Sequence, residues 1–156
     1  MFRRIIATLL LCAIGAGTLP AEKVDRGEAM YVGGTIAGLS EGTMGRLETT
    51  SDKVLVFQSP KGNFEVPYEN VTSLEYGQKA GRRLGLALTV SILFIFSKKR
   101  KHFLTINFDD EAGKKQGAVF ELSKGIVRET LRTLETNSGK KVEYESDDAR
   151  KHAEKR

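Results

Sequence analysis

Apolar and polar positions alternate along most of this chain in short runs separated by turn residues. AMYVGGTIA (29–37) predicts a first strand, with Gly33 and Gly34 marking a bulge or bend, and GLSEGTMG (38–45) predicts a loop. RLETT (46–50) and KVLVFQS (53–59) flank a two-residue turn at Ser51-Asp52. NFEVPY (63–68) follows a Pro60-Lys61-Gly62 turn and sets Phe64, Val66 and Tyr68 on one face; VTSLEY (71–76) follows Glu69-Asn70. HFLTINF (102–108) groups Leu104, Ile106 and Phe108, and GAVFELS (117–123) groups Ala118, Phe120 and Leu122. The charged stretch DDEAGKKQ between them predicts a hairpin. A period of two, with a new segment about every ten residues, predicts a mainly β fold: a seven-stranded antiparallel barrel or sandwich.

The period then changes. KGIVRETLRTLETN (124–137) places Ile126, Val127, Leu131 and Leu134 on one stripe and Arg128, Glu129, Arg132 and Glu135 outside it. That spacing predicts an amphipathic helix capping the sheet, with Ser123 as N-cap and Gly139 as C-terminal stop. KKVEYE (140–145) suits a short closing strand. SDDARKHAEKR (146–156) is wholly polar and charged apart from two alanines, and predicts disorder.

DKVLVFQSPKGNFEVPYENVTSLEYG (52–77) runs strand, turn, strand, then an aromatic–acid–x–β-branched step into the next strand; ELSKGIVRETLRTLE (121–135) is the terminal helix. Seven strands and a capping helix in this order resemble the pleckstrin-homology-like superfold, including its bacterial PH-like and GRAM-like members. The resemblance covers residues 29–145. It implies a barrel whose open end the helix plugs, and a binding or adaptor role rather than catalysis.

One segment departs from that pattern. Between the fifth and sixth strands, where such folds carry a loop, residues 84–96 read LGLALTVSILFIF, thirteen positions without a charge. Arg82 and Arg83 precede the run, and Lys98, Lys99, Arg100 and Lys101 follow it. A spanning helix needs about twenty apolar residues to cross roughly 30 Å of hydrocarbon. Thirteen residues at about 1.5 Å rise give only about 20 Å. A single crossing would also divide one sheet across two sides of a membrane. Three further readings stand: burial against the domain, contact with a protein partner or a second copy, and a dip into one leaflet. In the last, Leu93, Phe94, Ile95 and Phe96 insert while the flanking cations meet anionic headgroups, each cation contributing about 1 kcal/mol. The pattern favours the dip, with Arg82, Arg83, Lys98, Lys99, Arg100 and Lys101 as its headgroup contacts.

Charge sharpens this reading. MFRR, an apolar stretch from Ile5 to Ala16 and a GTLPA segment ending at Ala21 predict a signal peptide over 1–21, followed by a polar lead over 22–28. Cleavage before Glu22 removes Arg3, Arg4 and the only cysteine, Cys12, and takes the net charge from +5 to +3. Residues 79–101 hold seven of the remaining cations and no acid, so the rest of the mature chain carries −4. A nucleic-acid surface would spread its cations along a face and mix in stacking aromatics. Here the neighbours of the cations are Leu, Ile and Phe. The expectation is an exported protein of the bacterial periplasm or envelope, associated with an anionic membrane surface.

Catalytic and metal chemistry is not suggested. His102 and His152 have no partner at ligand spacing, and no nucleophile, phosphate-loop or dinucleotide signature is present. Asp109, Asp110 and Glu111 lack the alternating oxygen ligands of a calcium loop and suit a solvated turn paired with Lys114 and Lys115. Tyr31, Tyr68, Tyr76 and Tyr144 suit half-buried positions in the sheet. No cofactor and no metal are expected.

Overall fold

The computed structural model describes residues 27–78 and 101–154. Strands β1 (Ala29–Gly34), β2 (Thr43–Glu48), β3 (Val54–Gln58), β4 (Phe64–Pro67), β5 (Val71–Gly77), β6 (His102–Asp109), β7 (Lys115–Leu122) and β8 (Val142–Tyr144) form one sheet. Helices α1 (Val127–Ser138) and α2 (Asp147–Glu154) complete the described fold. Spatial order is β4-β3-β2-β1-β7-β6-β5-β8. Every neighbouring pair is antiparallel except β5 and β8, which run parallel.

The fold is therefore mainly β, but the expected seven-stranded antiparallel barrel is not formed. The sheet is mixed, has eight strands and does not close. It curls enough to bring Phe64 of β4 within 5.6 Å of Phe108 of β6, ring centre to ring centre, although four strands lie between them. Both edges are short, and β4 ends in Pro67, which has no N–H to donate to a further strand. Helix α1 bridges the two ends instead. Asn137 donates to the Ser51 carbonyl at 3.3 Å, ahead of β3, and Glu135 accepts the Val142 N–H at 2.8 Å, on β8.

The concave face holds the core. Tyr31, Phe57, Leu74, Leu104, Ile106 and Phe120 are almost fully buried there. The predicted helical stripe closes over them with Val127, Leu131 and Leu134, and Ile126 packs at its margin. The helix stops at Gly139 as expected, with a left-handed backbone (φ +68°) and an N–H donated to Glu135 O at 3.0 Å. Its start differs from expectation. Ser123 still belongs to the end of the β1–β7 ladder, where its N–H reaches Glu28 O and its Oγ accepts the Gly27 N–H at 3.1 Å. Tied to the opening of β1, it cannot cap a helix that begins four residues later.

Two more segments differ from the sequence reading. Strand β2 begins at Thr43, inside the expected loop, because Thr43, Met44 and Gly45 pair with Tyr31, Met30 and Ala29 through the backbone, which needs no apolar side chain. The tail expected to be disordered forms α2 over Asp147–Glu154. Ser146 Oγ accepts the Ala149 N–H at 3.1 Å, and Asp147 and Asp148 lie at the positive end of the helix dipole. Ala149 and Ala153, four residues apart, bury into the core, and Arg150 lies 5.1 Å from the centre of the Tyr144 ring. Two alanines are a weak hydropathy signal, yet they let a helix approach closely.

The bulge expected at the paired glycines is present as a register shift between Tyr31 and Gly33. Gly34 has φ +149°, and a Cβ there would lie 2.2 Å from Gly117 O. Thr35 completes the crossing, its backbone N–H donating to Gly117 O at 2.9 Å and its Oγ1 accepting the Gly117 N–H at 3.0 Å. Gly34→Ala should therefore destabilise the domain by about 2–4 kcal/mol, from backbone strain plus overpacking. Gly139→Ala, strained only in its backbone, should cost about 1 kcal/mol. Urea unfolding midpoints of the two variants against the unmodified chain measure the difference.

Candidate functional site

The apolar insertion leaves the sheet after β5 and returns into β6. These strands are antiparallel neighbours, and Gly77 at the end of one pairs with Phe103 at the start of the other. Both ends of the insertion thus emerge side by side from one end of the sheet. Among the proposed membrane contacts, Arg82, Arg83, Leu93, Phe94, Ile95, Phe96, Lys98, Lys99 and Arg100 lie outside the described residues, as do the expected signal peptide and most of the polar lead. Lys101 is described, and it marks where the chain rejoins the sheet.

Each end is held by a carboxylate. On the outgoing side, the Glu145 N–H donates to Tyr76 O at 2.9 Å, extending the β5–β8 edge. Its side chain folds over Gly77, where a Cβ would meet Glu145 Oε2 at 2.8 Å, and Oε2 accepts the Gln78 N–H at 3.0 Å. On the returning side, Lys101 Nζ donates to Glu121 Oε2 at 2.7 Å. Only 21% of the Lys101 side chain and 9% of the Glu121 side chain are exposed. A charge-assisted bond this short and this sheltered fixes the ammonium. Lys101, expected to face headgroups, is engaged within the fold.

Between these ends lies an aromatic cluster. Tyr76 OH and His102 Nδ1 are 2.5 Å apart, and Tyr144 packs edge-on against Tyr76 with ring centres 6.0 Å apart. Burial pushes the Tyr76 phenol far above its ordinary value, with Tyr144 adding to the effect. Burial likewise lowers the His102 imidazole, and His152 and Lys124 lower it further. Burial thus favours the neutral form of both groups, and the Tyr76 hydroxyl and His102 Nδ1 share a hydrogen bond. This bond ties β5 to β6 at the mouth of the insertion.

Sequence reasoning singled out the flanking cations but missed Glu121 and Glu145, the acids that hold the ends. Glu121 had a visible signal: it is a lone charge between Phe120 and Leu122 in an apolar strand. Glu145 had none, because its role depends on β8 lying beside β5. At the opposite end of β6 and β7, the hairpin tip is an ordinary turn. Asp110 Oδ1 accepts the Ala112 and Lys114 N–H groups at 3.0 and 2.8 Å, and Lys115 lies 3.7 Å from Asp109.

Among the described residues, no group of three or more His, Cys, Asp or Glu is placed to hold a metal ion. Among them, too, no helix is long and apolar enough to cross a membrane. No protein-family model and no curated protein matches the chain, and nothing found links it to a pleckstrin-homology-like domain.

The lowered His102 value makes stability depend on pH in a fixed direction. The unfolded chain binds a proton at a higher pH than the folded chain does. Stability is therefore greatest above the ordinary histidine range and falls as pH drops through that range toward the folded value. The thermal midpoint should fall between pH 7.5 and pH 5, and His102→Gln should flatten that slope. Thermal melts by circular dichroism across the interval test this; an equal slope in the variant would assign the pH dependence to other groups.

Proposed function

We propose that this protein is an exported, non-enzymatic module of the bacterial periplasm or envelope that binds an anionic membrane surface and serves as a binding or adaptor component there. The observation that carries the reading is the pairing of Gly77 with Phe103, which sets both ends of the apolar insertion side by side. An element whose ends share one side suits a dip into one leaflet better than a passage through the bilayer.

Path length supports the same reading. Twenty-two residues (79–100) separate the two described ends. Crossing the hydrocarbon and returning needs roughly 60 Å of path. Thirteen residues as a helix and the remainder fully extended reach only about 50 Å. A wholly extended path is long enough but leaves backbone N–H and C=O groups unsatisfied in lipid. A one-leaflet dip needs neither. Arg82 and Arg83 before the run and Lys98, Lys99 and Arg100 after it then lie at headgroup level. Lys101 is left out of that set, since Glu121 engages it.

The full-length protein should co-sediment with vesicles of phosphatidylglycerol and phosphatidylethanolamine, and added salt should weaken the binding. Replacing Arg82, Arg83, Lys98, Lys99 and Arg100 together by Gln should reduce the vesicle partition coefficient at least tenfold. No binding by the unmodified protein, or undiminished binding by the five-fold variant, would sink the membrane reading. Concentration-dependent self-association without vesicle binding would point to an oligomeric envelope component. Lys101→Gln should do the opposite of the five-fold variant. It should keep vesicle binding while losing about 1–3 kcal/mol of folding stability, because the sheltered Glu121 carboxylate loses its partner.

A further inference from the structure

Three rings and a guanidinium form one continuous stack from the sheet to the last helix. The His102 and Tyr76 rings lie 21° from parallel with centres 6.1 Å apart, and the Tyr76 hydroxyl bonds His102 Nδ1. Tyr144 of β8 packs edge-on against Tyr76 at 6.0 Å, and Arg150 of α2 lies 5.1 Å from the centre of the Tyr144 ring. Apart from this stack, α2 has little hold on the domain. The residues it buries are Ala149 and Ala153, and its first turn is capped by the adjoining Ser146. An isolated helix of eight residues is too short to persist in water. The helicity of α2 therefore depends on its being docked.

We propose that α2 is a pH-sensitive latch: protonation of His102 weakens the stack at its first bond, and α2 undocks while the sheet and α1 persist. Once the imidazole is protonated, Nδ1 is a donor, and the Tyr76 hydroxyl can only accept from it. The phenol proton must then find another acceptor at a residue that is 1% exposed. The surroundings oppose the new charge as well. Burial does so most, followed by His152 of α2 and Lys124, which lies between β7 and α1. Tyr76 and Tyr144 face the stack from β5 and β8. On α2 itself, His152 shares an open pocket with Asp148, Lys151 and Glu154. The acids at the ends of the insertion are already engaged, Glu145 by the Gln78 N–H and Glu121 by Lys101.

Linkage fixes the direction. Undocking α2 takes His152 away from His102 and opens the site to water, so the released state binds a proton at a higher pH than the docked state. Falling pH therefore favours release, by about tenfold for each pK unit that release adds to His102. Release precedes global unfolding because α2 gives up two alanines and one cation–π contact, whereas α1 keeps Val127, Leu131 and Leu134 in the core. The latch does not rest on the membrane reading and is tested without lipid.

Hydrogen exchange on the full-length chain at pH 7.5 and pH 5.5, each referred to free peptide at the same pH, reads the latch. Protection of the α2 amides (150–154) should fall about tenfold or more beyond any fall in the α1 amides (131–138). His102→Gln should remove most of that difference. Equal losses in the two helices, undiminished protection of α2, or the same loss in His102→Gln would each overturn the proposal. A second measurement guards against a His102→Gln chain that fails to fold. Ala149→Arg with Ala153→Arg places cations where α2 enters the core, which should expel the helix. Added cations near a docked His102 would make it harder to protonate, so easier protonation reports release. Titrated by NMR, the His102 ring should take up its proton at a higher pH in the double variant than in the unmodified chain. An unchanged or lower midpoint would also overturn the latch.

Discussion

The ladder between β5 and β6 constrains everything that follows from this chain. It joins residues that flank the least soluble segment of the sequence, and it continues to the last position, Gly77 against Phe103. The Tyr76–His102 bond, a Glu145 clamp on the outgoing end and a Lys101–Glu121 pair on the returning end reinforce it. Closing a long loop costs only a slowly growing entropy. A tethered, twenty-two-residue insertion is therefore compatible with a stable sheet, provided its apolar surface is covered.

The same constraint links fold to function. The two described ends of the insertion leave and rejoin the sheet side by side, where Gly77 pairs with Phe103. On the opposite face of β1, β7 and β6 from the core, Met30, Val32, Phe103 and Val119 are buried as well. Glu121 shows how closely polar and apolar demands are interleaved there. It is a carboxylate set between Met30 and Phe103, and it is tolerable in that position because Lys101 reaches it.

Local patterns were legible where one physical period dominated. Each of the seven expected segments carries a strand, the inward faces of β6 and β7 hold the expected residues, and the α1 stripe lies where its spacing put it. Boundaries were missed where backbone pairing rather than side-chain hydropathy decides, as at Thr43–Gly45. The tail was missed because α2 buries only two alanines, too little apolar surface to register in composition. Ser123 carried a capping signature, but the β1–β7 ladder claimed it first. Of the candidate site, the cations and the apolar run were plain in the sequence, whereas their carboxylate partners come from strands distant along the chain.

By itself the sequence determined the alphabet of this protein: short strands of period two, one amphipathic helix, and a charge-free run with basic flanks. Hydrophobic periodicity is a local property, so it survives without knowledge of neighbours. Only the tertiary structure decided that the sheet stays open and mixed, since closure depends on which edges meet and local hydropathy does not set that. It alone decided that Lys101 belongs to the fold, because the acid that binds it is twenty residues away in β7. And it alone showed that the central strands are buried on both sides, because a side chain's second neighbour is set by packing and not by its place in the chain.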